Sequence, residues 1–207
     1  MKYKAKYLIV ILSFIVLSCG DSKTQEEKDA EMNLSMMCVF QRPSIIEIND
    51  LIKLSLEGFS KAVDGNITIG DINKIEKSLE EIIGNINKDV KMIESTSEFD
   101  SEIPVRKTSL NYTAESKKIL ESDFKQFIEL LKEGSNESIV KSVDVFIIVW
   151  EKLLEIQESS REVEERFMLK YSVEFINDKD RERIDESRKQ FIVFKKQLDN
   201  IKNIRSH

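Results

Sequence analysis

The segment TIGDINKIEKSLEEIIGNINKDVKMI, residues 68–93, decides the fold of this chain. Its large apolar residues recur three and four positions apart, as on one face of an α-helix. They are Ile72, Ile75, Leu79, Ile82, Ile86 and Ile93. Thr68 and Asp71 precede this seam with the spacing of a capping box, in which each side chain bonds the other residue's backbone N–H. Asp89 interrupts the seam and Val90 can cover the gap, so the segment predicts a helix that packs lengthwise against others.

Four further segments carry the same helical spacing of apolar residues. We expect these helices after Pro43 to about residue 63, from about 108 to 133, from 135–138 to about 171, and from about 179 to 204. Asp64-Gly65-Asn66 and Gly134 stand where helices stop. The third helix is expected to turn these residues inward: Leu110, Ala114, Leu120, Phe124, Phe127 and Leu131. The chain has only six glycines and two prolines and no alternating run that demands a strand. We therefore expect an all-α fold, an elongated antiparallel bundle of about five helices.

An apolar run from Tyr7 to Cys19 precedes the helices and follows three lysines in the first six residues. The run is too short to span a bilayer, which needs roughly 20 residues, and it fits the apolar region of a secretory signal. Its end, with the small Ser18 before Cys19, resembles the lipobox of bacterial lipoproteins. The resemblance implies that the signal, residues 1–18, is removed and that Cys19 carries acyl chains such as palmitate. Ordinary secretion and an uncleaved anchor are the alternatives.

Residues 19–41 are expected to be the lipidated cysteine and a tether, and residues 42–207 the bundle domain. Gly20–Glu31 is polar throughout, and a flexible linker of about a dozen residues spans about 20 Å. Met32–Phe40 is apolar and would pack on the domain as a short helix or collar. With Cys19 lipidated, Cys38 either packs as a small apolar side chain or forms an intermolecular disulfide.

Composition and motifs argue against catalysis. The net charge is −6 and becomes more negative when the signal is removed, which gives no electrostatic case for nucleic acid. The one histidine is His207, the last residue, so histidine-dependent catalytic triads and histidine-bearing metal sites are excluded. Asp178-x-Asp180-x-Glu182 begins like a calcium loop but lacks its glycine and closing glutamate. We expect no enzyme activity, no cofactor and no metal.

Two charged features could have a role in binding. Asp144 interrupts an apolar run, either as part of a solvated seam or as a buried carboxylate with a raised pKa. The last helix has a basic outer face, which is either simply solvated or a positive strip for an acidic or sulfated host ligand or an acidic protein patch. Lys195, Lys196 and Lys202 are the candidate ligand contacts on this face.

The lipobox, the tether and the helices rich in Lys, Ile, Glu and Asn resemble the small helical outer-surface lipoproteins of spirochaetes. That group includes complement factor H-binding lipoproteins and decorin-binding adhesins. The resemblance implies a surface-exposed lipid anchor in the cell outer membrane and a host serum or matrix protein as partner, most of all a factor H-like regulator. The alternative is a periplasm-facing structural or accessory lipoprotein of envelope assembly that docks through an exposed patch at Met36–Phe40. A heptad seam also serves a homo-oligomer as readily as a bundle.

Overall fold

The computed structural model describes residues 23–173, 185–186 and 188–196, except for the side chains of residues 42 and 43, and this part of the chain contains helices and no strand. The elements are α1 (Gln25–Val63), α2 (Ile69–Glu94), α3 (Val105–Ile119), a π-helix (Leu120–Phe124), α4 (Lys125–Glu133) and α5 (Asn136–Tyr171). The α3, π and α4 segments follow one another without a break and form one rod. Residues 188–196 are helical as well. The expected all-α bundle of five packed helices is confirmed.

Short connections make the successive rods antiparallel. α2 starts six residues after α1 ends, and α5 starts three residues after α4 ends. Residues 188–196 run antiparallel to α5, as ion pairs from Arg188 to Glu158 and from Lys195 to Glu151 show. We call the end of the bundle where α1 begins the near end and the opposite end the far end.

α1 is longer than expected, because it begins at Gln25. Residues 25–41 are therefore helical and not a flexible tether, and the helix does not start after Pro43. A capping box opens it: the Thr24 hydroxyl accepts from the Glu27 N–H at 3.2 Å, and the Thr24 N–H donates to the Glu27 carboxylate at 2.6 Å. A proline inside a helix costs about 3 kcal/mol. Leu34 and Met37 lie upstream and are 4% and 1% exposed, and each contributes about 1.5–3 kcal/mol by burial. That burial offsets the proline and keeps the helix continuous.

α2, the stops and α5 agree with the sequence pattern. All six apolar residues of the α2 seam are buried, and the Thr68–Asp71 capping box is formed. Gly65 and Gly134 adopt positive φ values of 71° and 65° after α1 and α4, which a side chain would resist. α5 begins after the cap residue Ser135 and ends at Tyr171.

The third predicted helix differs in its start and in its inward face. It begins at Val105 because the side chain of Glu98, in the preceding loop, caps the first turn. The Glu98 carboxylate accepts from the backbone N–H groups of Arg106 at 3.0 Å and Lys107 at 2.9 Å. Leu120, Phe124, Phe127 and Leu131 are buried as predicted. Ala114 is exposed and Leu110 only half-buried, so the predicted inward face is wrong in the first part of this helix, by about one position. The residues that do face inward are Val105, Ser109, Tyr112, Thr113, Ser116 and Ile119.

The buried side chains form two separate apolar cores. The far core is the larger and contains aromatic rings from three rods, with ring centroids of Phe127 and Phe146 4.9 Å apart and those of Phe146 and Trp150 5.8 Å apart. The near core consists of Ala30, Leu34, Met37, Ile93, Ile103, Val105, Phe167 and Val173. These two cores lie on either side of a level at which the buried residues are polar.

Candidate functional site

The residues predicted to bind a ligand lie partly outside the described chain. Cys19 and Lys202 are outside it. Lys196 is exposed, whereas Lys195 forms an ion pair with Glu151 of α5 and lies 5.7 Å from the centre of the Phe191 ring. The described part of the basic strip is therefore partly neutralised by α5.

Two other predicted features have simple structural roles. Asp144 is exposed, as the solvated-seam interpretation expected. Cys38 is half-buried and packs against the near core. Met36 and Phe40 pack against the same core, and Met37 is 1% exposed. The exposed patch expected at Met36–Phe40 is therefore wrong, because helical continuation of α1 turns this segment onto its neighbours.

A buried polar layer crosses the bundle between the two cores. Its members are Gln41 and Ser44 of α1, Asp89 of α2, Ser109, Thr113 and Ser116 of α3, and Ser160 and Glu164 of α5. All are buried except Glu164, which is half-buried. Each of the four rods thus replaces its apolar seam with polar residues at one height.

Three hydrogen bonds between rods establish that height. They run from Ser44 to Asp89, from Lys117 to Asn87 at 2.9 Å, and from Lys152 to Asp123 at 2.5 Å. Antiparallel helices rise by the same 1.5 Å per residue, so each pair fixes the level of its two rods. Counted from these pairs, Asp89, Ser116 and Ser160 fall within about one helical turn of one another along the bundle axis.

Asp89 is the most deeply buried carboxylate of the layer. It is 3% exposed, and desolvation raises its pKa to about 6, against the opposing hydrogen bond from the Ser44 hydroxyl. The nearby Glu47 carboxylate raises the pKa further. Lys88 lowers it, but the Lys88 ammonium donates to Asn85 at 2.8 Å. The ionised Asp89 thus has no ion pair among the described residues.

Glu164 is the second carboxylate of the layer. Desolvation raises its pKa to about 7, and only a long hydrogen bond from Ser160, 3.4 Å, and the charge of Arg161 oppose this. Arg161 bonds instead to Glu165 at 2.9 Å and to Asp185 at 3.4 Å. The buried Asp89 and the half-buried Glu164 thus both have pKa values raised towards neutral pH, where an ordinary carboxyl group is fully ionised.

Some polar atoms of the layer have no hydrogen-bond partner among the described residues. They include the amide nitrogen of Gln41 and the hydroxyl of Ser109. Buried polar groups in native proteins are nearly always bonded to protein or to internal water. The layer is therefore suited to hold water molecules and, chemically, to exchange protons at its two carboxylates.

A narrow cleft lies beside the layer, between α1 and α5. Tyr112 of α3 and Gln157 of α5 line it together with apolar residues such as Ile52 and Trp150. The cleft has room for about one water molecule. This cleft is too small for an organic ligand.

Within the described ranges, no group of three or more His, Cys, Asp or Glu side chains converges to hold a metal ion. Of the helices described, none has the length and apolar character needed to cross a membrane.

The sequence pattern shows Asp89 as a break in the α2 seam, but it makes Asp144 the more conspicuous carboxylate. The sequence feature that indicates a buried Asp89 is its place in the apolar seam of α2, because residues of that seam face the core.

The fold and this site define an all-α bundle whose core is divided by a buried, titratable polar layer. Comparison with models of protein families, with curated proteins and with solved structures finds no match to this chain.

Proposed function

We propose that this chain is a lipid-anchored binding protein, displayed on the outer surface of the cell, that captures a host protein without catalysis. The partner proposed is a complement regulator such as factor H, which would keep its own regulatory activity while held at the surface. The observation that carries the proposal is the apolar run Tyr7–Cys19, with Ser18 directly before the cysteine. A lipid chain contributes about 0.8 kcal/mol per buried CH₂, and two anchoring signals give stable attachment.

The start of α1 supports a bundle held close to the lipid. Thr24, the cap of α1, follows Cys19 by five residues, and five extended residues span at most about 18 Å. α1 has 39 residues and is therefore about 58 Å long. An upright bundle would present its far end to the surroundings, well beyond the near end.

The far end is the surface that we propose contacts the ligand. It carries the connection between α1 and α2, where the side chain of Ile69 is 78% exposed. Single exposed apolar residues are common on protein surfaces, so Ile69 serves here as the position at which a contact made by this end can be tested. The candidate ligand contacts of the basic face, of which the described Lys196 is exposed, would add attraction for an acidic ligand, and this attraction should weaken as salt is raised.

Protease treatment of intact cells tests the display. We expect the protein to be degraded while a known periplasmic protein survives, and a Cys19→Ser variant to lose membrane attachment. If the protein is degraded only after the envelope is opened, the host-binding proposal fails and the periplasm-facing accessory role replaces it.

Capture from plasma tests the ligand and its site. We expect the anchored protein to retain factor H, an Ile69→Ser variant to retain several-fold less, and a Leu169→Ser variant to behave as the wild type. Leu169 is the matched control because it is 83% exposed but lies on α5 towards the near end. Equal losses in both variants would contradict a far-end contact, and no retention by the wild type would contradict the proposed partner.

A further inference from the structure

We propose that the polar layer is a pH-sensitive joint: with its carboxylates ionised it takes up water and lets the near and far cores open separately, and with them protonated it closes and couples the two cores. The joint is a property of the fold and does not depend on the proposed ligand.

The first argument is the separation of the cores. The far core and the near core share no residue. Of the α1 side chains that the structure describes between Met37 and Ile48, those that are buried are Gln41 and Ser44. Hydrophobic burial is the main force that holds helices together, so it is interrupted at this level in all four rods. A level with little apolar burial opens at lower free energy than the cores on either side.

The second argument is hydrogen bonding. An ionised carboxylate only accepts hydrogen bonds, and its burial is costly unless donors or water surround it. Counting only side chains that the structure describes, Asp89 receives one hydrogen bond, from Ser44, and Glu164 receives one long bond, from Ser160. A protonated carboxyl group gains a donor, and hydroxyl oxygens such as that of Ser109 are acceptors without a partner among the described residues. Protonation therefore makes a dry, closed layer less costly.

The third argument is the charge around each carboxylate. Glu47 of α1 adds a like charge near Asp89, and the cation beside it, Lys88, belongs to α2 itself. Glu164 faces Tyr112 of α3, a neutral phenol whose own pKa is raised by burial. Among the side chains that the structure describes, no cation of a facing rod pairs with Asp89 or Glu164, and desolvation is the largest cause of the raised pKa of each. The raised pKa values place the change in ionisation in the range from about pH 5 to pH 8.

Amide hydrogen exchange on the full chain, purified in detergent, tests the joint. Protection would be compared at pH 8 and pH 5.5 after correction for the intrinsic exchange rate. Carboxyl pKa values raised by roughly two units favour the protonated, closed form as the pH falls. We expect protection of the layer segments 41–48, 86–92, 109–116 and 157–164 to rise about tenfold at pH 5.5, with a smaller rise in the far core at 127–131.

Variants separate the two carboxylates from general effects of acid. The double substitution Asp89→Asn with Glu164→Gln keeps the shapes and removes the charges, so we expect high layer protection at both pH values. Glu155→Gln, at an exposed position of α5, is the control and should respond to pH as the wild type does. The proposal is overturned by equal protection at both pH values in the wild type, by a pH response that persists in the double variant, or by a rise that is uniform over all helices.

Discussion

Gly58 allows a test of how closely α1 and α2 pack. It lies inside α1, and a Cβ at this position would stand 2.8 Å from the Cδ1 of Ile75 on α2 and 4.0 Å from its Cγ1. Ile75 is fully buried, so its side chain has little room to withdraw. Substitution Gly58→Ala therefore combines a favourable change in the helix with an unfavourable contact between helices.

The two effects can be compared in size. Alanine is favoured over glycine inside a helix by about 1 kcal/mol, whereas overpacking a core costs about 1–3 kcal/mol. We expect Gly58→Ala to lower the free energy of unfolding by about 1 kcal/mol. Urea unfolding followed by tryptophan fluorescence measures this, because Trp150 is the one tryptophan and lies in the far core.

Two matched variants make the reasoning refutable. Gly84→Ala, on α2 with no atom within 4 Å of the new Cβ, should raise the free energy of unfolding by about 1 kcal/mol. Ile75→Val removes the crowding Cδ1 and should cost about 1 kcal/mol. In that background Gly58→Ala should become stabilising. If Gly58→Ala has the same sign with Ile75 and with valine, the close approach is not what requires the glycine.

For three further substitutions the structure predicts the direction in which the free energy of unfolding changes. Phe146→Ala removes a ring that is 1% exposed in the far core and should cost about 3–5 kcal/mol in urea unfolding. Glu98→Ala removes the cap from the start of α3 and should cost about 1 kcal/mol in the same assay. Lys170, with help from Tyr171 and backbone N–H groups, holds the pKa of Asp100 well below its usual range. That stabilisation is present above about pH 4 and is lost as the pH falls towards the lowered pKa. Asp100→Asn should therefore destabilise the protein at pH 7 and much less near pH 2, and an equal loss at both pH values would contradict the pairing.

Local signals explain the parts of the fold that the sequence predicts well. The α2 seam and the stop at Gly134 depend on a few neighbouring residues whose chemistry permits little else. The start of α1 had an equally local signal, since Thr24 and Glu27 repeat the capping-box spacing of Thr68 and Asp71. It was missed because the residues from 20 to 31 are polar. Residues 25–31 are nevertheless helical because this turn of α1 contacts the near core, for example through Ala30, and that core exists only in the folded bundle.

The polar layer shows where sequence reasoning reaches its limit. The pattern of apolar residues predicts Leu110 and Ala114 inside α3, whereas the side chains buried there include Ser109, Thr113 and Ser116. The π-helix that follows α3 adds a residue to one turn, and together with the packing of α5 it sets which side of α3 is buried. Asp89 was visible as a break in a seam, but its relation to Glu164, 75 positions later in the chain, depends on the antiparallel arrangement of the rods.

The π-helix at Leu120–Phe124 also bears on how the length of this chain could change. Both of its end residues are fully buried, while Glu121 and Ser122 between them are exposed. A π turn is a helix that has accepted one additional residue without disturbing the segments before and after it. Loss of Glu121 would let α3 and α4 merge into one regular α-helix with the same neighbours. Related chains one residue shorter at this point are therefore expected to share the bundle, and an alignment that opens a single gap inside this helix would be structurally sound.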